Sequence, residues 1–322
     1  MQNRIQKLIN NAIRTTRLDL DGLKVLTEVG SNNFLFTPLI AALANAEKVF
    51  AWTKDTSYGK GESVVNLCKE LMLKMGIDQN KISFRVNERP DNDIAEADIV
   101  TNLGMVRPIS SGFIEKMKAA AVIPTMSEAW ELRKEDIDIF TCTKKGIRVA
   151  GTWENHPDLR IFDGCGALSI KLAQQAGFEV YQNNICIISD DHFGEVAFKA
   201  FKNLGADVNL VPSAQADQVN SEKYDFIFLA DYTSEEVYLG ENGKLNNSRL
   251  PIVHLAGNIS HHYAISNNYF IYPQKDGYSM RMTKTLADLG CKPVIDLHTA
   301  GLKVGECLFK NNACEYSQPV NY

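Results

Sequence analysis

The stretch NNICIISDDHFGEVAFKAFKNLGADVNLV, Asn183 to Val211, sets the reading of the whole chain. Ile185, Cys186, Ile187 and Ile188 form a short apolar run of strand type. A helical pattern opens at Gly194, with Val196, Ala197, Ala200, Phe201 and Leu204 on one face. Gly205 stops that helix, and Val208 to Val211 begin another strand. Strand, tight turn, helix and strand in this order make the opening βαβ unit of a doubly wound parallel sheet.

Outward from this unit, further strands are expected at 225–230, 251–257 and 269–273, with a helix over 278–289. Residues 293–309 read as a strand or loop followed by a helix. Before the unit, Ile5, Leu8, Ile9, Ala12 and Ile13 recur at helical spacing in residues 1–20. Strands follow at 23–29, 48–52, 81–86, 97–103 and 120–125, with helices at 34–46, 63–76 and 109–118 between them. A short helix then feeds a strand ending at Thr152. A long helix is expected over 157–177, with Pro157 in its first turn and Gly177 at its end. Gly164 and Gly166 in its middle fit a helix that passes close to another backbone. The fold class is therefore α/β: two Rossmann/flavodoxin-like domains with parallel sheets, joined by a long helix. Residues 1–178, completed by 295–322, form the first domain, and residues 179–294 the Rossmann-type one.

Composition excludes several partners. The 322 residues carry a formal charge of −5, so nucleic acid lacks its basic footprint. No apolar run reaches membrane-spanning length, and the first residues lack the apolar core of a secretion signal. Cys68, Cys142, Cys165, Cys186, Cys291, Cys307 and Cys314 are dispersed and odd in number, without a C-x-x-C pair. That pattern fits reduced thiols in a cytoplasmic protein and gives no metal site.

The turn after the first strand of such a βαβ unit normally holds a dinucleotide pyrophosphate on the helix N-terminus. In the frame G-x-G-x-x-G this chain has Ser189, Asp191 and Gly194. Only the glycine for helix–strand packing survives. A carboxylate at Asp191 would stand beside the pyrophosphate, and its side chain blocks the backbone's approach. The second strand ends Leu210-Val211-Pro212-Ser213, with no acid for a ribose.

Three further passages carry a resemblance. Asp136-Ile137-Asp138, then Lys145-Gly146-Ile147-Arg148-Val149, then Thr152, are similar to a passage that precedes the linker helix in the formate/glycerate dehydrogenases, the D-isomer-specific 2-hydroxyacid dehydrogenases. Asn183 to Gly205 resembles that family's cofactor-binding βαβ. His298-Thr299-Ala300-Gly301 resembles the H-x-A-G that carries its catalytic histidine. The resemblance implies a small ligand in an interdomain cleft, NAD(P) as the cofactor to test, His298 as general acid/base and a homodimer. It also implies that substrate carboxylates meet the loop at Ser127. The family's arginine is absent: the matching stretch is Val253-His254-Leu255-Ala256-Gly257-Asn258.

Each candidate residue has a plain structural alternative. Ser189, Asp190, Asp191, His192, Phe193 and Gly194 form either a reworked ligand site or a helix start with an aspartate N-cap. His254 is placed at a strand's C-terminal end, where open sheets build sites. Trp153 offers a stacking face and Glu154 a base, or both belong to a capped turn before Pro157. Arg133 is the nearest cation to Ser127, and a surface ion pair is its simpler use. Two other functions stay open. Glu28-Val29-Gly30-Ser31-Asn32-Asn33, with Asp55 beyond the second strand, resembles the first motif of S-adenosylmethionine-dependent methyltransferases. A non-catalytic binding or scaffold protein that kept the dehydrogenase fold is the third.

Overall fold

Alternating apolar strands and amphipathic helices give the chain its layers, and the computed structural model describes residues 2–320 of it. Two compact units result: Met1–Arg160 with Gly290–Tyr322, and Ile161–Leu289. The first unit begins with α1 (Gln2–Thr16), β1 (Lys24–Glu28), α2 (Thr37–Leu43), β2 (Lys48–Thr53), α3 (Gly61–Met75) and β3 (Ile82–Val86). It continues with α4 (Asp91–Glu96), β4 (Ile99–Val100), α5 (Ser111–Lys116), β5 (Val122–Pro124), α6 (Ile139–Lys145) and β6 (Arg148–Thr152). The second unit holds α7 (Ile161–Gln175), β7 (Asn184–Ile188), α8 (His192–Asn203), β8 (Asp207–Val211), β9 (Phe226–Ala230) and β10 (Val237–Leu239). Then come β11 (Ile252–Ala256), β12 (Asn258–Ile259), α9 (His261–Ser266), β13 (Ile271–Tyr272) and α10 (Leu286–Leu289). The chain returns to the first unit with α11 (Cys291–Lys310) and β14 (Ser317–Pro319).

The strand orders differ between the units. In the first the sheet runs β14-β6-β5-β4-β1-β2-β3, parallel except that β14 is antiparallel to β6. Apart from that edge strand this is the 3-2-1-4-5-6 order of a dinucleotide-binding sheet, with its switch point between β1 and β4. In the second the order is β13-β11-β9-β7-β8, all parallel. That is the flavodoxin-like order 2-1-3-4-5, with its switch point between β7 and β9. Central strands are buried on both faces, as β9 with Phe226 to Ala230 at zero exposure shows, and so read as continuous apolar runs.

Three expectations are corrected. The long helix starts at Ile161, not Pro157: Leu159 and Arg160 donate to the His156 carbonyl in a separate turn, which Arg160 closes at a φ of 49°. This helix belongs to the second unit. Residues 278–289 are helical only over α10, because tertiary bonds claim the backbone. Met280 N donates to Tyr232 O at 2.7 Å and Thr283 N to Leu255 O at 2.7 Å. Residues 293–309 contain no strand or loop; they lie within the single helix α11. Pro293 falls in its first turn, where a missing amide costs nothing.

The two glycines of α7 separate cleanly. A Cβ on Gly166 would stand 2.8 Å from the Val196 carbonyl oxygen of α8, a backbone atom that cannot give way. One on Gly164 would meet only side-chain ends, Leu286 at 3.0 Å and Leu289 at 3.5 Å. Overpacking costs about 1–3 kcal/mol, and alanine returns about 1 kcal/mol of helix propensity. Thermal unfolding should therefore show Gly166→Ala destabilised, by up to about 2 kcal/mol, with Gly164→Ala neutral or slightly stabilised.

Candidate functional site

The β7–α8 turn is built around one carboxylate. Asp191 has extended backbone geometry and caps α8, its Oδ1 accepting from Phe193 N at 3.0 Å. Its Oδ2 accepts from Tyr232 N at 2.6 Å and Thr233 N at 3.1 Å, both just beyond β9. The carboxylate thus occupies the amide cluster of the switch point. Burial raises its proton affinity above that of an ordinary aspartate, against the pull of the three amides and with a further push from Asp231. Ser189 donates to Ala230 O at 2.7 Å and accepts from Asp191 N at 3.2 Å, locking the turn from below. Gly194 is a packing residue: a Cβ there would lie 2.3 Å from that of Ser189.

Two further carboxylates, Asp190 and Asp231, stand at the mouth of the turn, with Lys244 reaching the Ser213 carbonyl at 3.2 Å. Asp190 accepts from Ser213 N at 3.1 Å and from the Ser213 hydroxyl, so it reaches the loop after β8 where a ribose acid would stand. Its own amide donates to Asp231 at 3.3 Å, and buried Asp231 accepts from the Tyr238 hydroxyl. His192 pairs with Glu195 at 2.9 Å, its ring 5.0 Å from that of Phe162. Phe193 stacks on Tyr232 at 4.7 Å. The structure brings Ser189, Asp190, Asp191, Phe193 and Gly194 into one hydrogen-bonded and packed cluster. Asp231 and Tyr238 join it, and sequence reading missed both. The only available signal was an acid directly after the apolar run 226–230.

His254 does not belong to this cluster. It sits in the middle of β11 rather than at its C-terminal end, with no exposure. Its Nε2 lies 2.8 Å from the Pro273 carbonyl and must donate to it, which leaves Nδ1 as a buried acceptor without a partner. Burial lowers its pKa to about 4, so it is neutral at pH 7.

In the first unit, Ser127, Trp153 and Glu154 do converge, beyond the ends of β5 and β6. Ser127 O accepts from Thr152 N at 2.9 Å. Glu128 ties the group together, accepting from Glu154 N at 3.0 Å, Trp130 Nε1 at 2.8 Å and Gln318 Nε2 at 3.2 Å. Glu154 is buried, and burial together with Glu131 and Glu128 pushes its pKa well above the glutamate range. Burial and the two neighbouring carboxylates thus both favour its protonated form over that of an ordinary glutamate. Trp153 is 37% exposed, its ring edge-on to His156 at 5.2 Å. Arg133 is committed to Asp136, at 3.0 Å.

His298 lies two turns into α11, 3% exposed, with Nδ1 2.7 Å from the Thr37 hydroxyl and its ring 6.0 Å from that of Phe34. Burial lowers its pKa to about 4. The glycines that follow serve close packing: a Cβ on Gly301 would meet Met126 Sδ at 2.2 Å, and one on Gly305 would meet Ile99 at 2.8 Å. Glu28, at the end of β1, accepts from Met105 N at 2.9 Å, and burial raises its pKa to about 7. Among the described residues no group of His, Cys, Asp and Glu is placed to hold a metal ion. No helix among them is long and apolar enough to cross a membrane.

The depressed histidine pKa values make acid stability a direct readout. Between pH 6.5 and 4 the unfolded chain binds the proton that the folded one refuses, so stability falls as pH falls through that window. Each histidine should account for about 2 kcal/mol between pH 7 and 5. All three tryptophans (Trp52, Trp130 and Trp153) lie in the first unit, so their fluorescence in urea reports on His298. His298→Gln should flatten the pH dependence seen there, and an unchanged slope would refute the assignment.

No family model matches the chain, and no curated protein matches it in sequence. Solved structures do. The pyruvate reductase of Chlamydomonas reinhardtii matches with a TM-score of 0.58 and 9% identity, over 92% of this chain and 99% of that one. The dipicolinate synthase of Bacillus halodurans gives 0.54 and 13%, over 91% and 98%. A putative D-3-phosphoglycerate dehydrogenase from Ralstonia solanacearum gives 0.52 and 9%, over 91% and 96%. With the strand orders above, these likenesses establish that the chain has the two-domain α/β fold of the D-isomer-specific 2-hydroxyacid dehydrogenases.

Proposed function

We propose that this chain is a small-ligand-binding protein of dehydrogenase fold whose β7–α8 turn no longer receives a dinucleotide pyrophosphate. The observation that carries this reading is the Asp191 carboxylate on the amides of Phe193, Tyr232 and Thr233. A phosphate brought to that turn would find its donors taken. It would also face a like charge at about 4 Å, which costs about 4 kcal/mol at the effective dielectric of a protein surface, roughly a thousandfold in affinity. Asp190 and Asp231 add to the repulsion. The oxidoreductase role suggested by the fold therefore needs a cofactor pose that avoids this turn. His298 is enclosed and bound to Thr37, and burial keeps its imidazole neutral at neutral pH, with a pKa lowered to about 4.

Calorimetric titration with NAD, NADH and NADP tests the reading. No saturable binding is expected at millimolar cofactor. Binding in the micromolar range that Asp191→Ala weakens would overturn it. The same substitution removes an N-cap and orphans two further amides, so it should lower the unfolding free energy by about 2 kcal/mol or more.

A second reading is favoured by one feature of the first unit. Its 3-2-1-4-5-6 order sets Gly30 after β1 and Asp55 after β2, the positions that serve phosphate and ribose in nucleotide-binding sheets. A cavity of about 230 Å³ lined by Trp52, Thr53, Asn87, Arg89 and Met105 opens beside them. This reading takes an adenosyl ligand such as S-adenosylmethionine there. A thermal shift with S-adenosylmethionine or its demethylated product, lost in Asp55→Ala, would support it; no shift at millimolar ligand would remove it.

A further inference from the structure

Two of the seven cysteines form a pair that neither reading uses. Helix α11 ends with Asn311 in left-handed geometry at φ 55°, and Asn312 N donates back to Cys307 O at 2.9 Å. The chain then doubles back toward β14, with Ser317 N donating to Cys314 O at 3.2 Å. This reversal sets the Cys314 thiol against that of Cys307; both are free and hydrogen-bonded to each other. Together with Arg148, Val304, Asn312 and Ser317 they line an open cavity of about 400 Å³.

We propose that Cys314 and Cys307 are a hydroperoxide-reactive thiol pair, with Cys314 the attacking sulfur and Cys307 the resolving one. The division of labour follows from position. Cys307 is 4% exposed on the helix, while Cys314 is half-buried on the turn and reachable from the cavity. The Cys307 thiol donates to Cys314, which brings the Cys314 pKa down to about 7 and pushes that of Cys307 up. Burial instead raises Cys68, Cys142 and Cys186 to about 12.

The chemistry balances with a hydroperoxide as the oxidant. The Cys314 thiolate attacks the distal peroxide oxygen, the O–O bond breaks, and the leaving oxide takes a proton to become water or an alcohol. Cys314 is then a sulfenic acid. The Cys307 sulfur attacks it, losing its proton, and hydroxide leaves as water. The product is a Cys307–Cys314 disulfide, two electrons having passed from the thiols to the peroxide. A dithiol reductant reverses it by thiol–disulfide exchange. The bond would tie α11 to the segment whose Tyr316 O accepts from Trp153 N at 2.7 Å and whose Gln318 side chain binds Glu128 and Ala129.

The full chain tests this, with a cysteine in an unstructured peptide as the reference for an ordinary thiol. At pH 7 a thiol of pKa about 7 has roughly fifteenfold more thiolate than an ordinary one, offset about fivefold by weaker nucleophilicity. Iodoacetamide should therefore alkylate Cys314 about threefold faster than that peptide cysteine. After hydrogen peroxide, mass spectrometry should find a Cys307–Cys314 linked peptide two hydrogens lighter, restored by dithiothreitol. In Cys307→Ser, dimedone should trap a sulfenic acid at Cys314; in Cys314→Ser, Cys307 should stay reduced. Equal alkylation rates, the absence of the linked peptide in the wild-type chain, or oxidation of Cys307 at the same rate without Cys314 would each overturn the proposal.

Discussion

The carboxylate of Asp191 fixes the C-terminal end of the second sheet, and much else depends on it. Backbone amides that converge at a switch point carry partial positive charge and need an acceptor. In a nucleotide-binding protein the ligand supplies that acceptor. Here the chain supplies its own, at 2.6 Å from Tyr232 N and 3.0 Å from Phe193 N. The first unit repeats the solution with different residues. Glu28, at the end of β1, is bonded to the amides of Met105 and Gly104 just beyond β4, again across the switch point of its sheet. Glu28 is buried and Asp191 half-buried, and both have raised proton affinities, since the same walls that exclude water also disfavour the charge.

This arrangement explains which parts of the dehydrogenase-like turn survive. Gly194 is held by helix–strand packing against Ser189, a constraint that acts whatever the turn binds. The other two glycine positions matter only when a pyrophosphate must approach the backbone. Once a side-chain carboxylate takes that place, a serine that locks the turn and an aspartate that fills it are the better residues. The sheet orders follow the dinucleotide-binding and flavodoxin-like patterns, while the residues at the strand ends are this chain's own.

What the sequence made legible follows the same division. The βαβ at 183–211 was readable because apolar period and glycine stops act locally. The role of Gly166 was readable because a glycine inside a good helix needs an external reason, here the Val196 carbonyl. The segment 278–289 misled because its apolar spacing is helical. Its amides nevertheless answer to Tyr232 and Leu255, partners distant in sequence. His298 and His254 misled for a related reason. A histidine in a suggestive motif looks the same from sequence whether it faces solvent or is enclosed, and both are enclosed. For Glu154 the sequence likewise hides the burial and the neighbouring Glu128 and Glu131 that raise its proton affinity. The link between Asp191 and the residues after β9 was out of reach, because it spans 41 positions and leaves no local trace.

The return of the chain to its first unit has a consequence for biosynthesis. Helix α11 packs on β4, β5 and β6 and against α1 and α2, burying Ile295, Ala300, Leu302 and Val304. Until residues 290–320 leave the ribosome, β4, β5 and β6 lack this helix and β6 lacks its edge partner β14. The second unit, contiguous in sequence, can complete itself as it emerges. The order of maturation is thus the reverse of the order of synthesis. The half translated first finishes last, and in the interval its exposed apolar strands are the part of the nascent chain most in need of a chaperone.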